Sequence, residues 1–227
     1  FESVRTLGTS AFQDCPNLAN VTIPMISAIG SEVFRGCTSL GSLNITGDGQ
    51  MTLHGNFILH SARVDTLIVR NIPYIGDHAF RLTAWLGNAY LYDVVDISHE
   101  AFRDVQTNGA LFITGTADTS LHGNYIAQNS GFTSLILTNV PIIGDHAFRN
   151  MPSLTYVPFE NSGVRNLGHH AFQDCPNLAN ITLTNMTAIG NEVFRGCSLG
   201  SLNITGDGQM TLHGNYILRS ARVDTLI

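Results

Sequence analysis

Apolar residues recur along this chain in one frame. In the stretch from Leu18 to Cys37, LANVTIPMISAIGSEVFRGC, Leu18, Val21 and Ile23 stand at offsets 0, 3 and 5. Ile29-Gly30 follows, and Val33-Phe34 with Cys37 closes the unit. Aligned on offset 0, units start at Leu18, Leu40, Val64, Leu86, Asn108, Phe132, Leu154, Leu178, Leu199 and Val223, spaced by 21 to 24 residues, after a partial unit from Phe1 to Asn17. Offsets 3 and 5 hold Val21/Ile23, Leu43/Ile45, Leu67/Val69, Ala89/Leu91, Leu111/Ile113, Leu135/Leu137, Val157/Phe159, Ile181/Leu183 and Leu202/Ile204. Two inward residues flank one outward residue, which is the alternation of a short strand with one buried face. Strands that return this often, with no room for hairpins, stack in parallel. Each rung then buries its apolar residues only against its neighbours. At a strand spacing near 4.8 Å, ten rungs make a rod roughly 45–50 Å long.

The second half of most rungs, such as GDHAF at Gly76–Phe80, is short, and its length suits a single helical turn. Gly at offset 12 is expected to permit that turn, and Phe at offset 16 to plug the core from the far side. The expected fold is therefore an α/β repeat solenoid. A parallel β-sheet of about ten rungs faces short helical or irregular turns. A longer period lies over the short one. HGN followed by an aromatic residue appears at His54, His122 and His213, and these rungs are expected to replace the helical turn with TGDGQMTLHGN, Thr46–Asn56. Asp48-Gly49 there suggests a tight turn. Residues 40–85 match 108–153, including IGDHAFR at Ile75–Arg81 and Ile143–Arg149, and 7–68 matches 167–227 almost letter for letter. Residues 1–227 thus read as one continuous solenoid. Because the chain starts and stops inside rungs, it is expected to be a fragment of a longer array.

Composition narrows the function. A hydrophobic content of 44% is ample for a core and argues against disorder. The net charge is −6, and all 11 basic residues are Arg. They are scattered rather than clustered, which argues against a nucleic-acid partner. No apolar run approaches the roughly 18 residues of a membrane span, so no membrane insertion is expected in this segment.

The frame LxxVxIPxxxxxIGxxxFxxC in Leu18–Cys37 resembles the BspA-type leucine-rich repeat. IGDHAF at Ile75–Phe80, LGHHAFQDC at Leu167–Cys175 and IGNEVFRGC at Ile189–Cys197 share the likeness. It covers essentially the whole chain, departing in the HGN rungs and in the middle rungs that lack the closing Cys. The resemblance implies a leucine-rich-repeat-like parallel-strand solenoid used for adhesion or protein binding, on surface or secreted proteins. It brings no catalytic residues.

Four groups of side chains are candidates for chemistry. Cys15 and Cys37, and likewise Cys175 and Cys197, follow a Phe by three residues on adjacent rungs. They are within reach of a disulfide, or form a ladder of buried thiols. No CxxC spacing points to a metal. The histidines His54, His122 and His213 are rungs apart, whereas His146 and His170 share a column beside Asp145 and His169. Solvated or capping histidines, copied with the repeat, are the simpler reading, and no metal or cofactor is expected. No residue pair stands out from its copies, so no catalytic site is expected. Sequons at Asn20, Asn44, Asn180, Asn185 and Asn203 would carry N-glycans in a eukaryotic secretory pathway. The outward residues at offset 4 run Thr22, Asn44, Ile68, Tyr90, Phe112, Ile136, Pro158, Thr182 and Asn203. Ile68, Tyr90, Phe112 and Ile136, flanked by Tyr92 and Tyr156, are expected to form an exposed apolar contact stripe.

Two functions fit these residues. The first is a non-enzymatic structural protein of a fibre or surface array, assembling through solenoid ends and the apolar sheet face. Near-identity of the long copies favours it. The second is a cell-surface adhesin or receptor ectodomain whose stripe binds a protein ligand, favoured by the varied middle rungs. Both place the chain outside the cell or on its surface.

Overall fold

The computed structural model describes residues 3–212 and 214–227, and all of their side chains except those of Asp207, Gln209, Thr211 and Leu212. His213 lies outside the described residues. Six parallel strands, Asn20–Ile26, Leu40–Gly47, Arg63–Arg70, Trp85–Val94, Ala110–Gly115 and Ser134–Thr138, form the front sheet in chain order. Val21, Leu43, Leu67, Ala89, Leu111 and Leu135 are in register across it, and so are Ile23, Ile45, Val69, Leu91, Ile113 and Leu137. Both rows are buried, as the offset pattern requires.

The next rung breaks the sheet. Ser134 makes a single bridge to Tyr156. Pro158 then has no N–H to give to a ladder, and the chain turns through a short 3₁₀ helix, Phe159–Asn161. Pairing resumes with Asn180–Ile189, Ser198–Leu212 and Arg222–Leu226. The first two of these strands run on round the corner to a second side of the solenoid. There, two-residue strands such as Ser120–Leu121, Ile142–Ile143 and Asn166–Leu167 stack in parallel.

The third side corrects the expected helical turns. No α-helix occurs among the described residues. In the rung of His78, Arg81 N–H closes a reverse turn on the His78 carbonyl, while the N–H groups of His78, Phe80 and Leu82 donate to the carbonyls of His99, Ala101 and Arg103 one rung on. Donors aimed along the stack cannot serve an i→i−4 ladder. What turns them is a left-handed residue at each end of the segment, His78 at φ 54° and Leu82 at φ 58°. The same two positions recur as Glu100 and Asp104, and as His170 and Asp174. The glycine at offset 12 therefore has a different task from the one expected. A Cβ on Gly76 would lie 2.6 Å from the Leu53 carbonyl oxygen, and one on Gly144 equally close to that of Leu121. Close stacking of backbones excludes any side chain there. The HGN rungs also differ from expectation: they keep the turn. Phe57 and Ser61 take the two left-handed positions. The added residues form a separate loop, in which Asp48 accepts from the N–H groups of Gln50 and Met51 at 3.0 Å and Gly49 has φ +84°.

Phenylalanines fill the space behind the turns. Phe80 and Phe102 have ring centroids 5.0 Å apart, and Phe148 and Phe172 5.6 Å apart. Where Ala127 interrupts this column, Phe132 meets Phe102 edge-on at 6.1 Å. One further ladder ties rungs together beside the glycines, each side chain accepting the main-chain N–H of its counterpart one rung on. His99 N–H goes to Asp77 Oδ1 (3.0 Å), Asn124 N–H to His99 Nδ1 (2.9 Å), His169 N–H to Asp145 Oδ1 (2.6 Å) and Asn191 N–H to His169 Nδ1 (2.8 Å). In this ladder His99 and His169 cap main-chain N–H groups.

Candidate functional site: the outward face of the sheet

A front strand sends alternate side chains inward and outward, so the outward residues of successive rungs form columns. Ile68, Tyr90, Phe112 and Ile136 are successive partners in one column, across four neighbouring strands. All four are half-buried. The rings of Tyr90 and Phe112 stack with centroids 4.5 Å apart and planes 11° from parallel. Such a pair covers part of its own apolar surface and holds the rest in one plane. Tyr156 does not join the column. Its pairing with Ser134 places it one column over and one rung on, where it is 55% exposed.

Two arginines frame the column, both from the strand Arg63–Arg70. Arg63 pairs in register with Trp85, its guanidinium carbon 5.3 Å from a ring centroid, and Arg70 pairs with Tyr92 at 4.1 Å. A guanidinium over an aromatic face is favourable, so these cations are held flat against the sheet. Arg63 also lies 3.8 Å from the exposed Asp65. The face is thus apolar in the middle, with a guanidinium at each end of the strand Arg63–Arg70, the one at Arg63 answered by Asp65. The sequence showed the stripe; the arginines were missed, although their spacing at the two ends of one strand was visible.

The other candidates sit elsewhere. Cys15, Cys37, Cys175 and Cys197 are free thiols. Cys37 and Cys197 donate to the carbonyls of Phe12 and Phe172, at 3.1 and 3.2 Å. Burial pushes the Cys175 thiol far up and that of Cys197 up to about 12, so neither forms a thiolate readily. Of the sequon residues, Asn20, Asn180 and Asn185 are exposed, while Asn44 and Asn203 are half-buried in the sheet. Asn44 Oδ1 is shut from solvent without a hydrogen-bond partner.

The turn side is polar. Glu100 meets Arg81, Arg103 and His78 at 2.6, 2.5 and 3.2 Å. Burial works to raise its pKa, but the Arg103 hydrogen bond and the charges of Arg81, Arg103 and His78 together hold it below the usual carboxylate range. His146 and His170 stack at 4.6 Å. Burial, with the neighbouring His170 and Arg149, lowers the pKa of His146. Among the described residues no three side chains of the His, Cys, Asp or Glu type converge as a metal site would need. A shallow cleft of about 450 Å³ on the second side is lined by His122, Asn166, His169 and the backbone of Gly144 and Gly168. Nor is any helix of the described residues long and apolar enough to cross a membrane.

Comparison with known families agrees with this geometry. The model of a family described as the BspA type leucine rich repeat region matches residues 1–109 and 119–221, in six copies. No curated protein and no solved structure matches the chain.

Proposed function

The chain belongs to the BspA-type leucine-rich-repeat family, and on that premise we propose that it is a non-enzymatic docking scaffold of the cell surface whose front sheet binds another protein. One observation carries this reading: four apolar side chains stand in register on the outward side of the sheet, with Tyr90 and Phe112 stacked at their centre. A contiguous apolar row on a solvent face is the signature of a contact surface, and Tyr, Trp and Arg are the residues that dominate binding energy at interfaces. Exposed sequons at Asn20, Asn180 and Asn185 suit an extracellular setting, with glycans at the ends of the sheet rather than on the stripe.

The test is site-specific photocrosslinking in the cells that make the protein. A photoreactive residue at position 112 is expected to trap a protein. The same residue at position 129, on the turn side, is expected to trap none. Equal yields from both positions would defeat the reading.

Self-assembly into a fibre or array is the second reading, favoured by the near-identity of residues 7–68 and 167–227. It expects the trapped protein to be another copy of this chain, and filaments in electron micrographs of native material with an axial repeat of about seven rungs.

A further inference from the structure

We infer that the partner of the sheet face is a protein segment carrying a carboxylate beside an apolar side chain, and that Arg70 receives the carboxylate. This rests on the docking face proposed above. The half-buried Arg70 lies flat over Tyr92 at 4.1 Å, so much of the entropy of positioning it is already spent in the free protein. Among the described residues no carboxylate is within ion-pair distance of it. In a chain of net charge −6, Arg35, Arg81, Arg103, Arg149 and Arg195 are each held by an acid, whereas Arg70, like Arg165, is not, and of those two only Arg70 stands on the sheet beside the apolar row. On the sheet, Arg70 is two residues from Ile68, and Tyr92 two from Tyr90, on the same outward side. The open apolar row and the unanswered cation are thus about 7 Å apart along the strand, the span of two extended residues. A ligand that fills both must place its acid that far from its apolar anchor, a match for an acidic peptide segment.

An acidic glycan fits less well. Ile68 and Ile136, on either side of the aromatic pair, offer no hydrogen-bonding group to sugar hydroxyls. A second copy of this chain is the other occupant to exclude.

The test pans a random peptide library against the intact chain and against two variants, Arg70→Gln and Phe112→Ser, each shown by circular dichroism to keep its fold. The inference expects enrichment of Asp or Glu one or two positions from an aromatic or aliphatic residue. It expects roughly tenfold or greater weakening of a selected peptide by Arg70→Gln, since that is what one charged hydrogen bond contributes. That weakening should shrink at high salt. Selected peptides that lack acids, or that bind Arg70→Gln as well as the parent while losing to Phe112→Ser, would overturn the role of Arg70 and leave the docking face standing. Peptides indifferent to Phe112→Ser would overturn both. Concentration-dependent self-association abolished by Arg70→Gln, or binding on a glycan array confined to acidic sugars, would assign the face to the rejected occupants.

Discussion

Residues Ala11–Asn20 and Ala171–Asn180 are the same ten amino acids, AFQDCPNLAN, yet they do not have the same interior. Ala171, Phe172, Gln173, Cys175 and Leu178 are buried, whereas Ala11 is exposed and Phe12, Gln13, Cys15 and Leu18 are only half-buried. The second copy has a complete rung on each side. Phe172 has Phe148 at 5.6 Å, Phe194 at 6.1 Å and Phe159 edge-on at 5.4 Å, and Phe12 stacks on Phe34 at 5.5 Å. In a solenoid, burial belongs to the neighbours and not to the segment. The copies also diverge where the sequences do. Glu32 meets one arginine, Arg35, whereas Glu192 meets Arg195, Arg219 and His170, because Arg219 and His170 stand where the first copy has His60 and Ser10.

The comparison can be broken by equal substitutions in the two copies. Phe172→Ala leaves a cavity ringed by three aromatics and is expected to cost about 3–5 kcal/mol in denaturant unfolding. Phe12→Ala is expected to cost about 1–2 kcal/mol, since less apolar area is lost. Equal costs would mean that the rungs do not depend on their neighbours.

Next in size is Glu192→Gln, expected to lower Tm more than Glu32→Gln. The Arg195 hydrogen bond, reinforced by Arg219, holds the Glu192 carboxyl below its ordinary range. A depressed folded pKa gives stability that is present above the unfolded pKa and lost as pH falls through the folded one. Glu192→Gln should therefore flatten the decline in Tm below about pH 4.5.

Histidine gives a smaller effect at milder pH. His146 faces His170, Arg149, His169 and Asp145, and its pKa is lowered chiefly by burial. Its neutral form is the one that suits the fold, so its contribution to stability is present above about pH 6.5 and fades as pH falls below it. His170→Ser, which writes the residue of the first copy into the second, should reduce the loss of Tm between about pH 7 and 5.

The smallest effect is kinetic. In the native protein an alkylating reagent at mildly alkaline pH is expected to label Cys15 first and to leave Cys175 and Cys197 nearly untouched, with peptide mass spectrometry as the readout. Uniform labelling would contradict the difference in burial.

Much of the fold was legible because burial on a strand follows a period of two. Val21/Ile23 through Leu135/Leu137 were placed inward from spacing alone, and the structure buries all of them. The turns were misread for a physical reason. Left-handed backbone is usually signalled by Gly or Asn, but at one of the two positions this chain uses Glu32, His78, Glu100, His146 and Tyr216. The other position, with Asp14, Asp104, Asn129, Asn150 and Asp174, did carry the usual signal. The break at Pro158 was missed: Val157/Phe159 were read as one more strand, where the chain turns through a 3₁₀ helix. The stripe was readable as one outward column. The placing of Arg70 over Tyr92 needed the register between two strands, which spacing within one strand does not contain.

The measurement that bears most directly on the docking face compares equal losses of apolar surface from different sides. Affinity for the protein trapped from position 112 would be measured for Tyr90→Ser/Phe112→Ser on the sheet, and for Tyr74→Ser/Leu82→Ser on the other two sides, where Tyr74 is 45% and Leu82 39% exposed. A sheet-face docking surface predicts a loss of roughly a hundredfold or more in the first variant, as for two central aromatic anchors, and little change in the second. Equal losses, or a loss confined to the second variant, would contradict it.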